Sequence, residues 1–162
     1  MADSLKKFDL IFTSHAVASG KMRNDIVVEW PDMKEKFELA TDEGAMHGGD
    51  GTAPPPLALF SAALCGCIMT QIRAFAKRLK VEIRGVEVNA RFHWSATQSG
   101  KDPYVSEPVS IDLDVNIESD ATDDELRAVH AAARKGCFIE QTIAAGLPVN
   151  HRLKLSEDWV AA

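Results

Sequence analysis

The sequence predicts an α+β fold in which helices pack against antiparallel sheets. Short segments with alternating apolar residues come first, and one long apolar helix follows them. Two longer alternating segments, two short helices and a final strand complete the order. The chain has 162 residues, of which 46% are hydrophobic and 26% charged, which is ordinary for a globular protein. We therefore expect residues 1–162 to form a single domain.

The N-terminal part predicts a three-stranded antiparallel meander. Apolar residues alternate from Phe8 to Phe12 within residues 8–17, which places them on one face of a strand. Residues 26–30 and 37–40 repeat this short pattern of apolar, β-branched and aromatic side chains.

A long loop precedes the apolar helix. Residues 43–56 hold four glycines and three prolines, a composition that continues neither a helix nor a central strand. Proline is favoured at the first helical position, so the helix is predicted from Pro56 to about Lys80. Its apolar stretch, Leu57 to Met69, is shorter than the roughly 20 residues of a membrane span, which indicates a core helix.

The first half of this helix is apolar on all sides, so other elements must surround it. A chain of this size has little material for that purpose, and a second copy is the simplest cover. The sequence therefore predicts a homodimer.

The C-terminal half predicts two long strands and two helices. Strict alternation in residues 86–94 and 109–117 indicates antiparallel strands with one wet face. A capping box from Thr122 to Glu125 begins a helix that runs to about Lys135.

The last elements follow a break at Gly136. A short helix is expected from Cys137 to Gly146, because glycine is the preferred residue just after a helix end. Pro148 then opens a final strand that includes Leu155.

Charge, cysteine count and missing motifs exclude several classes of function. The net charge of −6 repels phosphate, so nucleic acid and anionic membranes are not expected partners. No serine-hydrolase elbow and no dinucleotide fingerprint is present, and no cofactor is expected. The N-terminal residues hold no apolar run of signal-peptide length, and the three cysteines show no secretory spacing. Both observations predict the cytoplasm, where thiols stay reduced.

The cysteines are the main candidates for chemistry. Cys65 and Cys67 would point about 200° apart on a helix, so they can neither pair nor share a metal ion. No other metal-ligand spacing exists, and no metal is expected. Buried packing is the ordinary role of a free cysteine. However, Cys137 begins a helix, and a helix N-terminus lowers a thiol pKa.

At these cysteines the chain resembles the OsmC/Ohr family of osmotically inducible and organic hydroperoxide resistance proteins. The first matching segment, residues 51–67, reads GTAPPPLALFSAALCGC. The second, residues 132–143, reads AARKGCFIEQTI. The resemblance covers nearly the whole chain in element order. It implies an intertwined homodimer with active sites at the interface, and a thiol-dependent peroxidase that acts on organic hydroperoxides.

The resemblance also implies roles for individual residues. Cys67 would be the peroxidatic thiolate and Cys137 the resolving thiol, and an external dithiol would reduce the disulfide between them. A thiolate in an apolar pocket needs a nearby cation, and Arg23 is the best match to the family's arginine. The alternative is a dimer on the same scaffold that binds a small apolar or electrophilic ligand without turnover.

The chain departs from the family pattern at two positions. Ala58 stands where the family has a glutamate that holds the arginine, and Phe138 replaces the proline after the second cysteine. A substitute carboxylate could come from Glu140, Glu43 or Asp50. The alternative for each of these residues is an ordinary solvated acid.

For two further residues the sequence leaves two alternative roles. His47 lies in the long loop and is either a pocket residue or a plain loop histidine. Cys65 either packs in the core or faces the pocket in place of Cys67.

Overall fold

A computed structural model describes residues 6–162, which form two compact units, one up to Phe60 and one from Ser61. The strands are β1 (Thr13–Ala18), β2 (Asn24–Trp30), β3 (Glu35–Thr41), β4 (Gly85–Thr97), β5 (Val105–Glu118), β6 (Arg152–Leu155) and β7 (Asp158–Ala161). The α-helices are α1 (Pro56–Leu79), α2 (Asp123–Gly136) and α3 (Phe138–Ala145). This mixture of helices and antiparallel sheets confirms the predicted fold class.

The first unit contains the predicted meander, with strand order β1-β2-β3 and antiparallel pairing throughout. The expected strand from Phe8 is wrong in its first part, because β1 begins only at Thr13. Thr13 pairs with Glu29 near the end of β2, and Pro31 then starts a short 3-10 turn. Strand β2 therefore ends too early to pair with residues before Thr13. The Phe12 ring packs against the Trp30 ring at an interplanar angle of 34°, with 5.0 Å between ring centroids.

Helix α1 has the predicted bounds but only one buried stripe. Leu64, Ile68, Ile72 and Ala76, spaced four residues apart, are fully buried, whereas the remaining surface of its first half is exposed or half-buried. Within residues 61–162, α1 is therefore covered along one stripe only. By length and composition α1 is also the one helix in residues 6–162 that qualifies as a membrane span, a test that core helices of soluble proteins pass as well.

In the second unit the buried stripe of α1 packs against α2 and against the apolar face of an antiparallel pair, β4 and β5. Both strands are longer than predicted, and their register shifts between His93 and Trp94, where Trp94 lies opposite Pro108. Helix α2 begins with the predicted capping box, in which Thr122 and Glu125 bond each other's backbone N–H groups. This packing encloses a core that includes Val129, Ala133 and Cys137.

The C-terminal elements follow α3, which ends as predicted at Gly146 in the left-handed conformation, with φ of 56°. The single expected strand is instead a hairpin of β6 and β7. Its turn holds Ser156 with φ of 57°, a conformation that sequence patterns assign to glycine or asparagine. Because serine is an unusual residue in this conformation, the sequence predicted neither the turn nor β7.

Candidate dithiol site

Two cysteines predicted to work together meet in the second unit. Cys67 lies on α1 and is half-buried, and Cys137 lies between α2 and α3 and is 0% exposed. The two thiols lie next to each other, and both are free.

The corner between α2 and α3 places the Cys137 sulfur. Cys137 has an extended backbone, with φ of −76° and ψ of 104°, and it both ends α2 and caps α3. Its Sγ accepts a hydrogen bond from the Glu140 backbone N–H at 3.5 Å. A single residue therefore carries the chain from one helix to the next and aims its side chain at α1.

Glycine is required beside this corner. A Cβ at Gly136 would lie 2.7 Å from Cζ of Phe75 on α1, which is closer than real Cβ atoms come to any neighbour. The missing side chain lets the end of α2 approach the aromatic ring and brings Cys137 to Cys67.

The environment of Cys137 favours its protonated form. Burial raises the pKa of the Cys137 thiol to about 11, and its hydrogen bond to Cys67 contributes in the same direction. The backbone N–H groups of Glu140 and Ile139 oppose this rise but are outweighed. The expectation that the helix N-terminus lowers this pKa is therefore wrong. Loss of hydration destabilises the thiolate more than the two backbone N–H groups stabilise it.

Two side-chain contacts link α2 to α3 across the corner. Nε of Arg134 donates to Oε1 of Glu140 at 2.9 Å. Nε2 of Gln141 donates to the Arg134 carbonyl oxygen at 2.9 Å. We call these two contacts the corner clasp.

Glu140, one of the predicted pocket residues, also lines a cavity. This cavity measures about 270 Å³, with an apolar wall from α1 and β5 and a polar wall from α2 and α3. Its lining residues are Ile68, Ile111, Leu113, Val115, His130, Arg134 and Glu140.

Arg23, the predicted cation, belongs to the first unit and is held by a carboxylate that the sequence analysis missed. Its guanidinium forms an ion pair with Asp25 at 2.9 Å and donates to the Thr52 hydroxyl at 2.9 Å. Thr52 in turn donates to Asp42 through both its backbone N–H and its hydroxyl. The available signal was spacing, because residues two apart in an extended segment project to the same side.

The other proposed carboxylates have different partners. Glu43 pairs with His47, with 3.3 Å between Oε2 and Nδ1, and Asp50 pairs with Lys21 at 2.7 Å. His47 itself is exposed in the loop.

Cys65 remains a free, half-buried thiol on α1. Within residues 6–162 no group of three or more histidine, cysteine or acidic side chains is arranged to hold a metal ion.

Two neighbouring free thiols, one of them at a buried helix corner, form a candidate dithiol site on an α+β scaffold. The family model for OsmC-like proteins matches residues 49–152, which include both cysteines. The chain belongs to the OsmC-like family. No protein among those with curated functional descriptions matches the sequence.

Solved structures agree with this assignment. An OsmC-like hydroperoxide resistance protein from Jannaschia sp. CCS1 is 43% identical, covers 94% of this chain and 98% of its own, and gives a TM-score of 0.65. An OsmC-like protein from Mycoplasma pneumoniae is 18% identical, with coverage of 85% and 89% and a TM-score of 0.64. A putative organic hydroperoxide resistance protein from Vibrio cholerae is 24% identical, with coverage of 90% and 93% and a TM-score of 0.58. The last two support the fold alone.

Proposed function

We propose that this protein is a thiol-dependent peroxidase that reduces organic hydroperoxides through Cys67 and Cys137. The observation that carries the proposal is the contact between these two free thiols. The 43% identity to a hydroperoxide resistance protein supports the choice of substrate class.

The reaction balances with one hydroperoxide and one external dithiol. The Cys67 thiolate attacks the hydroperoxide, the O–O bond breaks, and Cys67 becomes a sulfenic acid while the alcohol leaves with a proton. The Cys137 sulfur then attacks the Cys67 sulfur, forms the disulfide and releases water. An external dithiol is oxidised as it reduces this disulfide back to two thiols.

The difference in environment between the two thiols supports the proposed division of roles. Cys67 is half-buried and is therefore the more accessible of the two thiols to an incoming hydroperoxide. Cys137 is fully buried and stays protonated at neutral pH. The proposal therefore gives attack on the substrate to Cys67, the accessible thiol, and resolution to Cys137, the buried one.

Other parts of the functional assignment rest on the resemblance. Arg23 stays the predicted cation for the thiolate, and its contacts with Asp25 and Thr52 would fix its guanidinium. His47 and Glu140 stay predicted pocket residues.

We also propose a homodimer in the cytoplasm. Side chains of α1 such as Leu57 and Phe60 are 52% and 38% exposed, and a second copy would cover this apolar surface. Three free thiols are consistent with a reducing compartment.

A turnover assay tests the proposed activity. Reduced protein receives cumene hydroperoxide and an excess of a small dithiol, and loss of hydroperoxide is followed over many equivalents. We expect sustained turnover that Cys67→Ser abolishes and that the matched variant Cys65→Ser retains. Folded wild-type protein that consumes no hydroperoxide would refute the peroxidase and favour the ligand-binding alternative.

A further inference from the structure

We propose that the ion pair between Arg134 and Glu140 positions the Cys137 thiol against Cys67 and thereby sets the stability of the disulfide between them. This inference rests on the proposed dithiol chemistry and adds two positioning residues to it. Arg134 is assigned no contact with substrate, and Glu140 acts in this role through the position of Cys137.

The connection between α2 and α3 makes the position of the Cys137 sulfur depend on the angle between the two helices. Only Cys137 separates them, so any change in that angle moves its side chain relative to α1. Arg134 lies in the last turn of α2 and Glu140 in the first turn of α3. Their bond at 2.9 Å therefore spans the hinge on which Cys137 sits.

Packing holds α3 to the core through Ile139, which is only partly buried. None of the eight residues of α3 is buried within the described chain. Beside its first turn lies the cavity of about 270 Å³, which leaves room for Glu140 to move. The corner clasp provides side-chain links between α2 and α3, and the ion pair is its charged member.

The ion pair is better shielded than other pairs in this unit. The Glu140 side chain is 24% exposed and that of Arg134 61%, whereas both side chains of the Arg91–Asp114 pair on β4 and β5 are more than half exposed. Partial burial reduces screening by water and salt, so this pair restrains its elements more than a fully solvated pair does.

Restraint of Cys137 raises the effective concentration of its thiol at Cys67. Without the ion pair the thiol samples positions away from Cys67, and the disulfide becomes easier to reduce. Attack on the hydroperoxide involves Cys67 alone, so the first step would not change. The sulfenic acid on Cys67 would persist longer before Cys137 reacts with it.

The test measures the disulfide equilibrium without any peroxide. Wild-type protein, Glu140→Gln and Arg134→Gln are equilibrated anaerobically with mixtures of oxidised and reduced dithiothreitol, and the Cys67–Cys137 disulfide is quantified by mass spectrometry. The matched control is Asp114→Asn, which removes the solvated Arg91–Asp114 pair at 2.6 Å. We expect an equilibrium constant for disulfide formation about fivefold lower in both clasp variants, which corresponds to about 20 mV. The control should match the wild type.

The charge-swapped double variant, Arg134→Glu with Glu140→Arg, separates positioning from a general loss of structure. It should restore at least half of the lost equilibrium constant on a logarithmic scale. Wild-type equilibrium constants in both single variants would overturn the inference. If Glu140→Gln does not fold, Arg134→Gln decides alone, since that side chain is largely solvated.

The design also separates this inference from the proposed function. The equilibrium constant is read without hydroperoxide, so absence of peroxidase turnover would refute the function and leave the positioning result intact. If turnover occurs, trapping of the Cys67 sulfenic acid should show wild-type formation and slower decay in Arg134→Gln. Unchanged decay would count against the positioning role.

Discussion

Gly136→Ala should destabilise the protein, although alanine is ordinarily the better helix former. The added Cβ would lie 2.7 Å from Cζ of Phe75, so either the ring or the end of α2 must move. Overpacking of this kind costs about 1–3 kcal/mol, which exceeds the gain from replacing glycine near a helix end. For a chain of this length each kcal/mol lowers the melting temperature by about 2–4 °C.

Gly44→Ala is the matched control for this substitution. Gly44 has φ of −72°, which alanine adopts readily, and a Cβ there meets no described atom within 4 Å. We expect a neutral effect or a gain of up to about 1 kcal/mol. Thermal unfolding by circular dichroism at one fixed protein concentration compares the two variants. Equal stability of Gly136→Ala and wild type would show that Phe75 yields at no cost and that the corner does not require glycine.

Three further outcomes follow from the same geometry. Cys137 should be alkylated by iodoacetamide at pH 7.5 more slowly than Cys65, because it is fully buried and its pKa is raised to about 11; equal labelling measured by peptide mass spectrometry would contradict this environment. The backbone N–H and hydroxyl of Thr52 lower the pKa of Asp42, so its carboxylate contributes stability above its usual pKa of 3.8 that is lost as pH falls through the folded-state value. In thermal unfolding between about pH 6 and pH 2, Asp42→Asn should be less stable than wild type at pH 6, and the difference should shrink in acid; a pH-independent difference would contradict this assignment. Light scattering should give twice the chain mass of 17.7 kDa, and the monomer mass would refute the proposed dimer.

Local sequence signals account for most of the fold. Alternation in residues 86–94 predicted β4 because one face of that strand is buried and the other is wet. The Thr122 capping box predicted the start of α2 because its contacts lie within four residues. The sequence did not predict the turn at Ser156, because serine is uncommon in that backbone conformation. It also did not predict that β1 begins only at Thr13, because this depends on where the partner strand β2 ends.

The candidate site was predictable in its residues but not in its electrostatics. Position along the chain and family resemblance singled out Cys67 and Cys137, and the structure brings them into contact. The direction of the Cys137 pKa shift depends on burial, a property of the packed structure that the helix N-terminus alone does not convey. The ion pair of Arg23 with Asp25, instead of with an acid more distant in the sequence, likewise became evident only in the folded structure.

The most direct test of the dithiol account is to map the cysteines after one oxidation. Reduced, folded protein receives one equivalent of an organic hydroperoxide, and its peptides are analysed by mass spectrometry without reduction. The account predicts a Cys67–Cys137 disulfide with Cys65 left as a thiol. Cys67 and Cys137 both remaining free thiols in the folded protein would contradict it.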